Sequence, residues 1–371
     1  MTGKVLSTGT FDELVPLLAN LGYTVVGPTL HDGTITYGEI YETADLPIGW
    51  TDIQEAGTYR VERRDDDAYF GYRVGPQTLR RFLSPPHQTL LTIEHHETGL
   101  SFHPEPVPDG RFAFLGVRAC DIAAVQIQDK VLAGEPFSDP RYVAARSRSL
   151  TIGVNCSEAG ATCFCASMGS GPRCTEGYDL VVTEVVREGR HDFMVEAGTD
   201  LGQGVLGRLE GRPMTSSDSI EIDEIIEDTT RHMGRSMLAD ETRELLTRNL
   251  DHAMWESIGE RCLSCANCTL VCPTCFCSTT DDATDLTGTA VRQRRWDSCF
   301  NLDFTNLHGH PVRSSPAARY RQWMTHKLAY WYDQFGTSGC VGCGRCITWC
   351  PVGIDITHEI EELQKDAEVM T

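Results

Sequence analysis

The run Cys262-Leu-Ser-Cys265-Ala-Asn-Cys268-Thr-Leu-Val-Cys272-Pro273 decides how this chain is read, and it recurs as Cys340-Val-Gly-Cys343-Gly-Arg-Cys346-Ile-Thr-Trp-Cys350-Pro351. This is the spacing of bacterial two-cluster iron–sulfur proteins. Three thiolates on one tight loop hold three corners of a cubane. The fourth cysteine, displaced by the turn at proline, serves the other cluster. The spacing therefore predicts one 4Fe–4S cluster on Cys262, Cys265, Cys268 and Cys350, and a second on Cys340, Cys343, Cys346 and Cys272. A pair of structural zinc sites would favour two separated Cys pairs rather than two four-cysteine runs ending in Pro.

Working outward, the first run has a tail, Cys272-Pro-Thr-Cys275-Phe-Cys277, followed by Cys299. These three extra thiols either hold a further cluster, with a fourth ligand such as Cys174, His308 or an acid, or are buried free thiols. A separate set, Cys120, Cys156, Cys163 and Cys165, lies in the middle of the chain. Cys120 and Cys156 each follow a predicted parallel strand, and carboxyl ends of neighbouring parallel strands form the edge where α/β sheets bind ligands. Four thiols converging there suit a 4Fe–4S cluster or a zinc ion; the alternative is unrelated thiols.

The chain has 371 residues, 16 of them cysteine, with none before Cys120. No secretory signal is read at the start, so a reducing, cytoplasmic compartment is expected and metal binding outranks disulfides. With 32 basic against 53 acidic side chains the net charge is −21. That argues against nucleic acid or an anionic membrane as partner, because phosphate contacts need clustered Lys and Arg. No membrane insertion is expected: the uncharged stretch 262–280 is broken by Pro273 and six cysteines. Residues 291–327 hold seven basic groups against Asp297 and Asp303. This local excess either forms a solvated face or, the favoured reading, offsets the charge of the thiolate clusters.

The expected fold class is α+β: an N-terminal mixed α/β region, a helical segment, and a C-terminal two-cluster ferredoxin-like domain with an insertion. The divisions fall at 1–105 (mostly β), 106–217 (α/β, with the candidate cysteine site), 218–260 (helical linker) and 261–371 (dicluster domain). Within the first, Phe11–Leu21 reads as a helix, and 59–61 with 69–74 as a hairpin around Asp65-Asp-Asp67. His95-His96 reads as surface structure, since adjacent strand residues point to opposite faces. Strand 111–117, a helix capped by Asp121, and strand 149–155 read as a parallel crossover. Gly202-Gln-Gly204-Val-Leu-Gly207 matches a dinucleotide fingerprint, but no second strand ends in an acid at the right distance, so a glycine-rich turn is expected. No catalytic constellation and no organic-cofactor site is read.

Gly116-Val-Arg-Ala-Cys-Asp121, Asn155-Cys156, Thr162-Cys-Phe-Cys165, Cys272-Pro-Thr-Cys-Phe-Cys277, Trp296-Asp-Ser-Cys299 and Arg319-Tyr-Arg-Gln-Trp323 together carry a resemblance. With the two four-cysteine runs, they make the chain resemble the beta subunit of cytosolic NAD(P)-linked nickel–iron hydrogenases, the sulfhydrogenases, over nearly its whole length. The iron–sulfur relay component of anaerobic sulfite reductase is a close relative of that family. Ala119 stands where the family pattern has Pro, and Cys174 has no counterpart. The resemblance implies an electron-transfer subunit in a hetero-oligomer, relaying electrons between a hydrogenase small subunit, on one side, and a flavin/NAD(P)-binding subunit, on the other. The cysteine pattern itself gives two 4Fe–4S clusters as cofactors, with one or two further iron–sulfur clusters as the option for the remaining thiols. The alternatives are the equivalent subunit of a sulfite reductase, or a small-molecule-reducing site at the middle cysteines.

Overall fold

The computed structural model describes residues 3–369. Its framework is an eight-stranded mixed sheet. In chain order the strands are β1 (Gly3–Ser7), β2 (Thr24–His31), β3 (Thr34–Glu39), β4 (Phe112–Arg118), β5 (Leu150–Val154), β6 (Leu180–Arg187), β7 (Arg190–Ala197) and β8 (Arg212–Pro213). Their spatial order is β8-β1-β7-β6-β5-β4-β2-β3. The four central strands β2, β4, β5 and β6 run parallel, and the rest pair antiparallel. Every residue of β5, Leu-Thr-Ile-Gly-Val, is buried, as a parallel strand covered on both faces requires. The crossover expected from β4 to β5 is present, with helix α1 (Ala119–Leu132) following β4 directly.

Strands from residues 3–39 and from 112–213 thus share one sheet and one core, built on Leu6, Phe11, Val26, Phe114, Ile152 and Phe193. The division expected at 105/106 runs through this sheet. The outermost positions of the expected divisions, 1–2 and 370–371, lie outside the described residues. Other local readings need correcting. The first helix is two, Thr8–Phe11 and Leu14–Asn20. Thr58–Arg63 pairs with Trp50–Glu55 rather than with 69–74. Residues 69–74 form no strand, because the backbone N–H groups of Tyr69 and Phe70 donate to the buried Glu184 carboxylate at 2.6 and 2.9 Å. His95 and His96 are exposed at the end of a half-buried strand, His87–His96, at the surface as read.

That strand belongs to a second, four-stranded antiparallel sheet. Hairpin His87–Pro104 contributes two strands, and the insertion between the cysteine runs contributes Ser278–Thr284 and Ala290–Trp296. Three helices, Ser216–Arg231, Ala239–Arg248 and Met254–Arg261, lead into the first cysteine run. The C-terminal core gathers Leu246, Trp255, Phe300, Trp323 and Ile347, and it includes Phe164 from the middle cysteine loop.

Gly202 and Gly204 lie in a short helix, Asp200–Leu206, that Gly207 ends. A β-carbon on Gly202 would sit 1.8 Å from the Asp179 carbonyl oxygen. This glycine lets a helix touch a neighbouring backbone and forms no phosphate loop. Gly202→Ala is expected to destabilise the fold by at least the ~1–3 kcal/mol typical of overpacking and to leave nicotinamide binding unchanged. Thermal denaturation and nucleotide titration check both; wild-type stability with altered nucleotide binding would refute this account.

Candidate metal centre

Each four-cysteine run folds as a tight loop followed by a short helix, Asn267–Leu270 in the first and Arg345–Thr348 in the second. The two loops share a local pattern. The Ser264 N–H donates to Cys262 Sγ and the Gly342 N–H to Cys340 Sγ, both at 3.4 Å. Around them the thiols ring two adjoining cavities. One is lined by Cys262, Cys265, Cys268 and Cys350. The other is lined by Cys272, Cys340, Cys343 and Cys346. Cys350 thus stands with the first run and Cys272 with the second, the exchange that the spacing predicts. Cys346 also borders the first cavity.

The middle cysteines meet at the carboxyl edge of the parallel strands. Cys120 opens α1 behind β4, Cys156 follows β5, and Cys163 and Cys165 fold back over the edge. All four line a third cavity, and Cys343 borders it too. The Cys163 loop is fastened to the second four-cysteine loop. The Phe164 N–H donates to the Gly342 carbonyl at 2.8 Å, and Ser170 Oγ to the Val341 carbonyl at 2.6 Å. Gly342 and Gly344 have φ of +61° and +73°. A β-carbon on Gly344 would lie 2.3 Å from the Thr162 carbonyl oxygen, so the two backbones meet where only glycine fits.

Cys275, Cys277 and Cys299 sit beside the second cavity. The Cys275 thiol pairs with Cys272, and Cys277 pairs with Cys299. The hydrogen bond from Cys299 holds the Cys277 thiol down at about 7. Cys174 does not join them. It is buried near Cys156 and Arg118, and its N–H donates to Asn155 Oδ1 at 2.8 Å. His308 lies exposed in the turn between Asn306–Leu307 and His310–Pro311.

Buried cations stand among these thiols; Arg118, Lys327 and Arg345 lie in segments that drew notice in the sequence, and Arg80 does not. Lys327 Nζ donates to Cys272 Sγ at 3.2 Å. Arg118 donates to the Phe70 and Tyr72 carbonyls at 2.7 and 2.6 Å, and lies 3.9 Å from Cys156 Sγ. Its Nε is buried without a partner among the described residues. Arg80 stacks over Trp296 at 3.7 Å, beneath the first run. Arg345, inside the second run, makes a two-pronged bond to Asp121 at 2.6 and 2.9 Å, both side chains buried. Asp121 therefore does not cap α1; its carboxylate is spent on Arg345. Burial works against the Arg345 charge, and the Asp121 carboxylate with Cys343 and Cys120 together outweighs it. The basic excess of 291–327 is mostly answered elsewhere. Arg292, Arg294 and Arg295 pair with Asp282, Asp139 and Asp281. Only Lys327 reaches a thiol, and Arg319 reaches the first loop through Ser264 Oγ at 3.0 Å.

Burial pushes Cys163 up to about 11 and Cys340 to about 12. A bound metal deprotonates a coordinating thiol outright. Among the described residues no three His, Cys, Asp or Glu side chains converge tightly enough for a single metal ion. Four thiols spread around a cavity, with cations behind them, fit a multi-iron cluster.

The sequence agrees with this donor set. The 4Fe–4S dicluster domain family matches residues 261–354, which makes this part of the chain an iron–sulfur dicluster domain. Beyond that domain, sulfhydrogenase 2 subunit beta of Pyrococcus furiosus is 28% identical over 318 residues, covering 84% of this chain and 91% of the relative. The resemblance to sulfhydrogenase beta subunits thus runs through the sheet and the helices as well as the cysteine loops. No solved structure matches the chain. No helix among the described residues is long and apolar enough to cross a membrane.

Proposed function

We propose that this chain is the electron-transfer subunit of a hydrogenase complex, holding three 4Fe–4S clusters in a row. Cys262, Cys265, Cys268 and Cys350 hold the first; Cys272, Cys340, Cys343 and Cys346 the second; Cys120, Cys156, Cys163 and Cys165 the third. The observation that carries the reading is contiguity: Cys346 borders the first and second cavities, and Cys343 the second and third. A bound cluster supplies one-electron transfer at a potential the protein tunes. The chain's own residues do the rest. They bring Cys265 of the first site to the surface, bury Lys327 at the second, and set Arg118 and Lys327 against the thiolate charge. Cys275, Cys277 and Cys299 are a candidate set for a fourth centre.

The partners on this reading are, at one end, a hydrogenase small subunit; at the other, a flavin/NAD(P)-binding subunit. The assembly is a cytoplasmic hetero-oligomer. The sixteen unpaired cysteines support a reducing compartment. The anaerobically purified chain should contain about 12 iron atoms with matching sulfide, or about 16 if the fourth set is filled. Cys350→Ser should remove the same paramagnetic centre as Cys262→Ser, and Cys272→Ser the same as Cys340→Ser. Zinc in place of iron, or Cys350→Ser removing the centre of the Cys340 run, would sink the assignment.

A further inference from the structure

We infer that Lys327 sets the potential of the centre held by Cys272, Cys340, Cys343 and Cys346 above that of its neighbour, making it the electron sink of the ferredoxin pair. The inference rests on the relay reading and adds the order of two potentials to it. Lysine is almost never fully buried unless paired, yet Lys327 is 5% exposed. Its polar partners are Cys272 Sγ at 3.2 Å, Thr274 Oγ1 at 2.9 Å and the Gly339 carbonyl at 3.4 Å. Among the described residues no carboxylate pairs with it. The counter-charge that makes its burial tolerable is therefore that of the thiolates and what they hold.

The chain departs from regular structure to put the lysine there. Helix Pro316–Thr325 runs into Trp331–Phe335 through one turn of π-helix, His326–Tyr330. Such single-turn insertions are frequent at functional sites, and this one carries Lys327 into the wall of the second cavity.

Among the described residues no side-chain cation donates to a sulfur of the first cavity. Its Cys262 sulfur accepts from the N–H and the hydroxyl of Ser264, and its Cys350 sulfur from the N–H of Ile354, all neutral donors. The charges that reach Cys268 are other thiols. Arg345, close to Cys343, is balanced by Asp121 and adds little. Reduction adds one negative charge to a centre, so a cation in contact favours the reduced form. Exposure of Cys265 works the other way, by letting water stabilise charge at the first centre. A direct contact in a dry interior outweighs polarisation at one exposed ligand, because the low local dielectric strengthens it.

The test is a redox titration of the anaerobic full-length chain followed by paramagnetic resonance. The centres are assigned by Cys265→Ala for the first and Cys340→Ala for the second. The centre lost in Cys340→Ala should titrate above the one lost in Cys265→Ala. Lys327→Met should lower it by at least tenfold in reduced-to-oxidised ratio, 59 mV for one electron, with the first centre unmoved. Lys327→Arg should restore most of the shift. Full iron content with an unmoved potential in Lys327→Met would overturn the inference, as would the reverse order in the wild-type protein. If Lys327→Met loses iron, the wild-type order decides. If neither cysteine variant loses a centre, the relay reading itself fails.

Discussion

Cys343→Ala is expected to break the relay at its middle. Cys343 borders both the second and third cavities, so its loss removes a ligand from one centre and part of the wall of the next. Iron content should fall by about four atoms per chain. In the assembled complex, hydrogen-to-nicotinamide electron flow should drop by at least the roughly 10–100-fold that losing even an outer-shell partner costs a metal site. On the proposed reading, hydrogen oxidation with an artificial dye at the hydrogenase partner should be spared, because that chemistry would not pass through this chain. Undiminished nicotinamide reduction in a variant that had lost the iron would show that the second centre lies off the working path.

Asp121→Ala is expected to have the largest effect on stability. Asp121 is 1% exposed and Arg345 is buried beside it. Removing one partner of a buried pair strands the other charge, at ~3–5 kcal/mol. Arg345→Met should do similar damage from the other side. The double variant Asp121→Leu/Arg345→Met should recover much of the loss, because it leaves no uncompensated charge. Denaturant midpoints of the anaerobic, iron-loaded chain measure all three. Single variants within ~1 kcal/mol of wild type would mean that the pair is solvated in a way its burial does not suggest.

The same pair marks the limit of what could be read from the residues alone. The cysteine spacing foretold which thiols would share a cavity, because ligand spacing on a tight loop is local geometry. The β4–α1–β5 crossover was legible for the same reason: each element announces itself over a few residues. Asp121 looked like a helix cap because caps are local too, but its partner stands 224 positions away. Nothing near Arg80 announces a thiol neighbour, and Arg118, two positions before Cys120, reaches Cys156 only through the fold. The hairpin expected around Asp65–Asp67 failed through competition from Glu184, a residue 115 positions from Tyr69. The shared eight-stranded sheet escaped notice because β2 and β4 are separated by an entire second hairpin, His87–Pro104.

The meeting of Gly342 and Gly344 with the Thr162–Cys165 backbone has a consequence for how a cell makes this protein. Two loops that touch without side chains between them leave no slack for later adjustment. Each loop must take its final shape while the other does, and that shape is the one in which the thiols face a cofactor. Maturation of the two halves is therefore a joint event, and metal affinity becomes folding free energy. When iron or sulfide is scarce, the yield of native chain should fall with supply, and the shortfall should accumulate as unfinished polypeptide rather than as empty but folded protein.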